Sequence, residues 1–360
     1  MRRNAWIDFV RILFSVGIFL THLNSLAQPT ENVDLIYCFG FLGVEFFFII
    51  SGYFMAASAN KYTQSESEHV GKATMHFLWK KYKRVFPCYF VAWCIGFTAD
   101  HVVGMITGKQ VLKDLIQSIP AFMHLGMAGF PMYQAIDPAW YISAMLLSMF
   151  ILYPLLLLLR DKFTYIIAPL ASIVIYGYLL FRVGNLATIN PLEGSFVYTG
   201  LLRGIAGISL GCICYEGARF LSRKSFTTKG CRMLTLLELL CYAAVFLGMN
   251  TQALMRPDFY VVAILVPAVM LSFSNQSYTS RFRLARIKLG EVSLAIFLAD
   301  YPARVLTKNL FPTAVLSERV LPCVGFLILF AGIILLLSPV VQKLYQRFIE
   351  HIRSACFTES

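Results

Sequence analysis

Charged side chains are scarce in this sequence: Asp, Glu, Lys and Arg make up 14% of its 360 residues, where an ordinary soluble domain carries about 25%. Beside 58% hydrophobic residues and a mean hydropathy of +0.68, that scarcity excludes a soluble globular enzyme. Acidic residues are rarer than basic ones, 19 against 31, for a net charge of +12. In a soluble protein such an excess would raise nucleic-acid binding, but here its distribution has to be read against a membrane first. Gly/Ser-rich tracts are few, and with 31 Phe and 18 Tyr the chain is neither disordered nor collagen-like. The nine cysteines are scattered and never form CxxC, which leaves no disulfide framework and no zinc site in view. The chain shows no internal repeat.

What the chain has instead is apolar length. A bilayer core about 30 Å thick takes about 20 apolar residues of helix, because the backbone must satisfy its own hydrogen bonds in lipid. No charged side chain interrupts the runs between Asp137 and Arg160, Lys162 and Arg182, Asp258 and Arg281, and Arg319 and Lys343. Five more spans carry few charges: 4–26 (Asp8, Arg11), 35–59 (Glu45), 85–107 (Asp100), 195–216 (Arg203, Glu216) and 233–255 (Glu238). A tenth, 289–311, holds Glu291, Asp300 and Arg304. The runs are continuous, without the period-2 alternation of a membrane barrel. The expected fold is therefore all-α, a polytopic integral-membrane bundle of about ten transmembrane helices.

Cytoplasmic loops retain Lys and Arg. Here 22 of the 31 basic residues fall in the N-terminal stub, in the connections after the second, fourth, sixth and eighth spans, and in the C-terminal tail. Both termini are expected in the cytoplasm, with membrane lipids as the surroundings and no nucleic acid needed to explain the charge. Asp8 and Arg11 interrupt what would be the apolar centre of a signal peptide, so the first segment is expected to stay as a helix. Residues 1–345 are expected to form one transmembrane domain, and 346–360 a short cytoplasmic tail.

An ionisable group inside the bilayer costs about 2.5–3.5 kcal/mol on insertion scales, which makes each one a candidate for function. Asp8 and Arg11 stand three apart on one helix face, and His22 returns to that face three turns later, about 16 Å further along. The same residues also read as an interfacial ion pair anchoring the helix start, with His22 near the far headgroups. Glu45 is alone among Phe46, Phe47 and Phe48, so it is protonated, paired from another helix or facing a polar cavity. Gly43, Ser51 and Gly52 beside it would let a helix or a ligand approach closely. Lys80, Lys81, Lys83 and Arg84 sit at the cytoplasmic mouth of the third span, where they read as a positive-inside determinant or as a site for a polyphosphate. Asp300 and Arg304 are an i, i+4 pair able to neutralise itself, and are expected to be structural. The partner of Glu45 is expected from the polar stripe of the first helix.

Asp8-x-x-Arg11-x(10)-His22, then Gly43-Val44-Glu45-Phe46-Phe47-Phe48-Ile49-Ile50-Ser51-Gly52-Tyr53, then Lys81-x-x-Arg84-x-x-Pro87 together resemble the membrane acyltransferase 3 family, the integral-membrane O-acyltransferases of bacterial surface glycans. Pro138-Ala139-Trp140-Tyr141-Ile142 is similar to that family's Trp-aromatic-Leu motif. Leu289-Gly290-Glu291-Val292-Ser293-Leu294-Ala295-Ile296-Phe297-Leu298 is similar to its late Leu-Gly-x-x-Ser-Tyr-x-Ile-Tyr-Leu motif. The likeness spans nearly the whole chain. It departs at Lys81, where the family usually has Arg and where planar bidentate phosphate recognition is weakened while the charge is kept. It departs again at Met145 and Leu146, in place of a frequent Glu-Glu pair, and at Asp300, in place of a frequent His.

The resemblance implies transfer of an acyl group, usually acetyl, from cytoplasmic acyl-coenzyme A, with acetyl-CoA as donor and no metal. The acceptor it implies is a hydroxyl of a glycan or lipid-linked sugar at or beyond the outer face. Such a transfer needs a base, a stabiliser for the developing oxyanion and a grip on the thioester. The residues implied are His22 as general base or covalent acyl carrier, Arg11 with Asp8 along the pantetheine path, Lys81, Lys83 and Arg84 at the coenzyme A phosphates, and Glu45 orienting His22. Trp140, Tyr141 and Ser51 are implied at the acceptor. Intramembrane Asp, Arg, His and Glu also mark the paths of secondary transporters, and a membrane module that binds a small metabolite without catalysis is a further alternative.

Overall fold

The computed structural model describes residues 4–29, 31, 37–62, 69–103, 108–192, 194–250, 258–282 and 289–357. Arg2, Arg3, Arg283, Arg286 and Lys288, five of the 22 counted above, lie outside the described residues, as does Arg256 on the other side. Asn4 opens the first helix, its side-chain oxygen accepting the Ile7 N–H at 3.2 Å and so satisfying one of the donors that every helix start leaves orphaned. The described chain then forms twelve α-helices: α1 (Ala5–Leu23), α2 (Gly43–Ala59), α3 (Val70–Val103), α4 (Gly108–Gln117), α5 (Ile119–Phe122), α6 (Ala139–Lys162), α7 (Ala168–Arg182), α8 (Thr199–Ser222), α9 (Thr228–Asn250), α10 (Asp258–Phe273), α11 (Leu289–Leu310) and α12 (Leu316–Phe357). Among the described residues there is no strand, only an isolated bridge between Pro191 and Tyr198. The all-α expectation holds.

Six stretches among the described residues are long and apolar enough to cross a bilayer: Ala5–Leu26, Gly40–Ala59, Ala139–Arg182, Thr199–Ser222, Thr228–Asn250 and Leu316–Glu350. The third of these is not a straight rod. Trp140, near its start, lies under the Arg203 guanidinium, and Tyr176, near its end, bonds Glu45, the ion-pair partner of Arg203. Thirty-six residues of straight helix would separate Trp140 from Tyr176 by about 54 Å, so the chain doubles back between them. The break is at Arg160, whose φ of +44° is not helical. Its guanidinium donates to the carbonyls of Ala59 and Tyr62 at the end of α2, at 3.3 and 3.1 Å. The two legs α6 and α7 both pack on α8.

α2 is the centre of the bundle, with only Phe54 and Ser58 short of full burial. It can lie directly on α8 because glycines meet at the crossing. A Cβ on Gly52 would fall on the carbonyl oxygen of Ile208, and one on Gly211 on that of Ile49. Small residues of this kind let helix backbones approach closely in lipid. On the opposite flank, α1 and α11 run side by side in the same direction. Ser15 meets Ser293 (Oγ to Oγ 2.9 Å), Ser293 donates to the Arg11 carbonyl at 3.2 Å, and His22 meets Asp300 eleven residues on from Arg11. Gly290 leaves room at the lower end of this seam, where a Cβ would lie 3.1 Å from both Arg11 Nη1 and Asp8 Oδ1. The outward sides of α7, α9 and α12 expose Phe181, Met233, Leu247, Leu321 and Leu336, an apolar surface far beyond what a soluble monomer carries and one suited to hydrocarbon.

Candidate active site

Charged side chains gather at two levels along α1. At the upper level, His22 Nδ1 lies 2.5 Å from Asp300 Oδ2 on α11. Asp300 also accepts from Arg304, Nε to Oδ1 at 3.1 Å and Nη2 to Oδ2 at 3.3 Å. Arg304 donates further to Ser25 Oγ at 3.2 Å and faces Asp137 at 3.8 Å. The i, i+4 pairing of Asp300 with Arg304 is present, but Asp300 reaches past it to the imidazole.

Glu45 does not touch this group. It is fully buried, accepts from Arg203 Nε at 2.7 Å and receives the Tyr176 hydroxyl on its other oxygen. The expectation that its partner comes from another helix is met, while the helix is α8 and not α1, and His22 is oriented from α11. Geometry decides this, because Glu45 sits in the first turn of α2 on the face where Gly204 and Gly207 bring α8 close, and Arg203 is one residue away from that contact. Arg203 is 1% exposed, and its guanidinium stacks over the Trp140 ring, 5.1 Å from the centroid.

His22 and Arg203 share one cleft of about 150 Å³, which Asp137, Trp140, Phe41 and Phe297 also line. Trp140 is thus at the cleft, but it is buried and one face of its indole is taken by Arg203. Tyr141 and Ser51 are not among the lining residues. The Tyr141 hydroxyl lies 3.2 Å from Ser51 Oγ and points to Met145 Sδ at 3.6 Å, and its ring packs on Phe47, Phe48 and Phe297. Of the three residues implied at the acceptor, Trp140 is at the cleft wall and Tyr141 packs behind Phe297, which lines the cleft.

At the lower level Asp8 and Arg11 pair at 3.7 Å, as their spacing suggests. Lys81 and Arg84, one turn apart on α3, come near enough for their charges to act on each other and on Arg11. Lys81 also lies over the Phe77 ring. Lys83 belongs elsewhere, because two residues from Lys81 it is on another face of the helix, with its ammonium 5.6 Å above the Trp79 ring. Arg84 is exposed and Lys81 half-buried, so the cluster is open to an anion. Eleven residues of α1 separate Arg11 from His22, about 16 Å of helix. Among the described residues, no group of three or more His, Cys, Asp or Glu side chains is placed to hold a metal ion.

Three participants escaped the sequence reading: Arg203 and Tyr176 at Glu45, and Asp300 at His22. The signal that existed was the cost of a lone charge in lipid, which demands a partner for Glu45 and for Arg203. It does not say which span supplies it.

The profile of a family described as an acyltransferase domain matches residues 4–340 of this chain. No curated protein and no solved structure matches it.

Proposed function

The chain belongs to the acyltransferase 3 family, and from that membership we propose that it is an integral-membrane O-acyltransferase of the cell membrane. It moves an acyl group, most simply acetyl, from cytoplasmic acyl-CoA to a hydroxyl of a cell-surface or exported glycan, free or lipid-linked. The observation that carries this reading is the stacking of two sites on one helix: a cationic cluster of Arg11, Lys81 and Arg84, and about 16 Å above it an imidazole at a cleft. A donor whose phosphates rest on the cluster reaches toward His22 with its pantetheine arm extended along α1.

One further feature supports the membrane arrangement. Ten of the twelve α-helices have fifteen residues or more, the exceptions being α4 and α5, which fits ten crossings with both termini in the cytoplasm. In that arrangement the hairpin at Arg160, Lys81 and Arg84 fall on the inner side, and the cleft opens toward the outer side.

In the reaction, the acceptor hydroxyl attacks the thioester carbonyl while His22 takes its proton. The Arg203 guanidinium, on the cleft wall and held by Glu45, is the cation available to the developing oxyanion. The thiolate then leaves and recovers a proton. Lys81 and Arg84 bind donor phosphate, Asp8 holds Arg11 beside its path, and Trp140 presents the acceptor to His22. Tyr141 and Ser51 form the floor that separates the two levels.

The test uses purified protein in detergent with acetyl-CoA and a de-O-acetylated envelope polysaccharide. Coenzyme A release that depends on the polysaccharide, with alkali-labile acetate appearing on it, is the expected result. Solute flux in vesicles without thioester consumption would replace the enzyme with a carrier.

A further inference from the structure

An imidazole works on a substrate with one nitrogen, and which one is set by what holds the other. His22 Nδ1 is the held nitrogen, 2.5 Å from Asp300 Oδ2. Asp300 is 2% exposed, and the Arg304 fork at 3.1 and 3.3 Å balances its charge. A carboxylate only accepts, so this contact selects the ring with its proton on Nδ1 and the lone pair on Nε2. His22 keeps 28% of its side chain exposed and lines the cleft. The charged groups around it are Asp300 and Arg304 on α11, Asp137 before α6, and Arg203 on α8 with Glu45 on α2. Lys308 and Arg319 lie beyond Arg304. Of these groups, Asp300 is the one that bonds the imidazole, while Arg203 is held by Glu45 and Arg304 by Asp300.

We propose that Asp300 is a positioning residue that fixes His22 as the Nδ1–H tautomer, so that Nε2 is the atom that takes the acceptor proton. This rests on the acyltransferase reading above. The acceptor O–H bond breaks as Nε2 gains its proton, the acceptor oxygen bonds the thioester carbon, and the tetrahedral intermediate expels the coenzyme A thiolate. That thiolate takes the proton back from Nε2–H, leaving ester, free thiol and neutral His22. Throughout, Nδ1–H stays on Asp300, and the transient imidazolium is stabilised by a carboxylate already in place. Arg304 acts one step removed, because without it Asp300 would be a buried carboxylate with no cation.

The test compares wild type, Asp300→Asn and Asp300→Glu at matched folded amounts. In protein labelled with ¹⁵N-histidine, the His22 signals are identified by their loss in His22→Gln, and they show directly which nitrogen carries the proton without any substrate. The expected wild-type state is Nδ1–H alone. Asp300→Asn, whose amide can donate as well as accept, is expected to mix the tautomers. It should also lower kcat by about 10²–10⁴-fold with both KM values held within about twofold, as loss of tautomer control does in a serine-protease triad. Asp300→Glu keeps the acceptor and should return kcat at least about tenfold from the Asn value. A wild-type signal with the proton on Nε2, or an Asn variant with wild-type tautomer and kcat, overturns the proposal. Should Asp300→Asn fail to fold, the wild-type signal and Asp300→Glu decide. Absence of acetyl transfer by wild type would sink the functional reading while the nitrogen signals still judge the tautomer.

Discussion

Glu45 is bonded on both oxygens, to Arg203 at 2.7 Å and to Tyr176, so removing its charge strands a guanidinium that is 1% exposed. Breaking one partner of a buried pair costs about 3–5 kcal/mol, while replacing both with apolar groups of similar volume is often neutral. Glu45→Gln should therefore lower the denaturation midpoint of the detergent-solubilised protein, and Glu45→Met combined with Arg203→Met should recover most of it. A double variant no more stable than the single would deny the pair its structural part. His22→Ala makes the opposite demand. Its side chain is partly exposed at a cleft, so folded yield should persist, while acetyl transfer falls by about 10²–10⁴-fold; near-normal turnover by the folded variant would remove His22 from the mechanism. The candidate residues themselves were legible in the sequence because a charge in an apolar run stands out. Their partners were not, since Arg203 is 158 residues from Glu45 and Asp300 is 278 from His22. No local spacing encodes such a pairing.

At the scale of helices, the packing depends on where side chains are missing. Gly211→Ala would drive a Cβ onto the backbone carbonyl of Ile49, with no flexible side chain to give way, whereas Gly177 has open space around it. We expect Gly211→Ala to abolish or sharply reduce folded protein, with Gly177→Ala at wild-type yield, as read by monodisperse recovery from membranes. Equal yields would mean that α2 and α8 do not cross at these glycines. The close approach expected at Gly43 and Gly52 is found, with Gly43 against Ile18 and Phe14 and Gly52 against α8. The late motif also acquires a physical reason, because Gly290 and Ser293 are where α11 fits against Asp8, Arg11 and Ser15 of α1. What the apolar runs could not convey was the depth of burial. Trp140 and Tyr141 look like surface aromatics at a helix start, yet both are buried, Trp140 against Phe48 and Arg203 and Tyr141 against Phe47, Phe48 and Phe297.

For the molecule as a whole, the sequence conveyed the all-helical membrane character, since uninterrupted apolar length has few other uses. The fold-back at Arg160 was marked there by the three charges between uncharged runs, Arg160, Asp161 and Lys162. The sidedness we propose follows from the same Lys and Arg. Cysteine placed at the exposed positions Lys72 and Lys224, in a background without the nine native cysteines, should react with an impermeant thiol reagent from the inner face, and at Lys113 from the outer face. Reversal would exchange the donor and acceptor sides. The most direct test of the central claim joins sidedness to chemistry. Everted membrane vesicles receive acetyl-CoA labelled in the acetyl carbon on their exposed cytoplasmic face, and alkali-labile label is then measured on polysaccharide enclosed within the vesicles. Label should appear with the wild-type protein and be absent with His22→Ala at equal abundance. Equal labelling by both proteins, or none by the wild type while thioester and polysaccharide are present, would contradict the account.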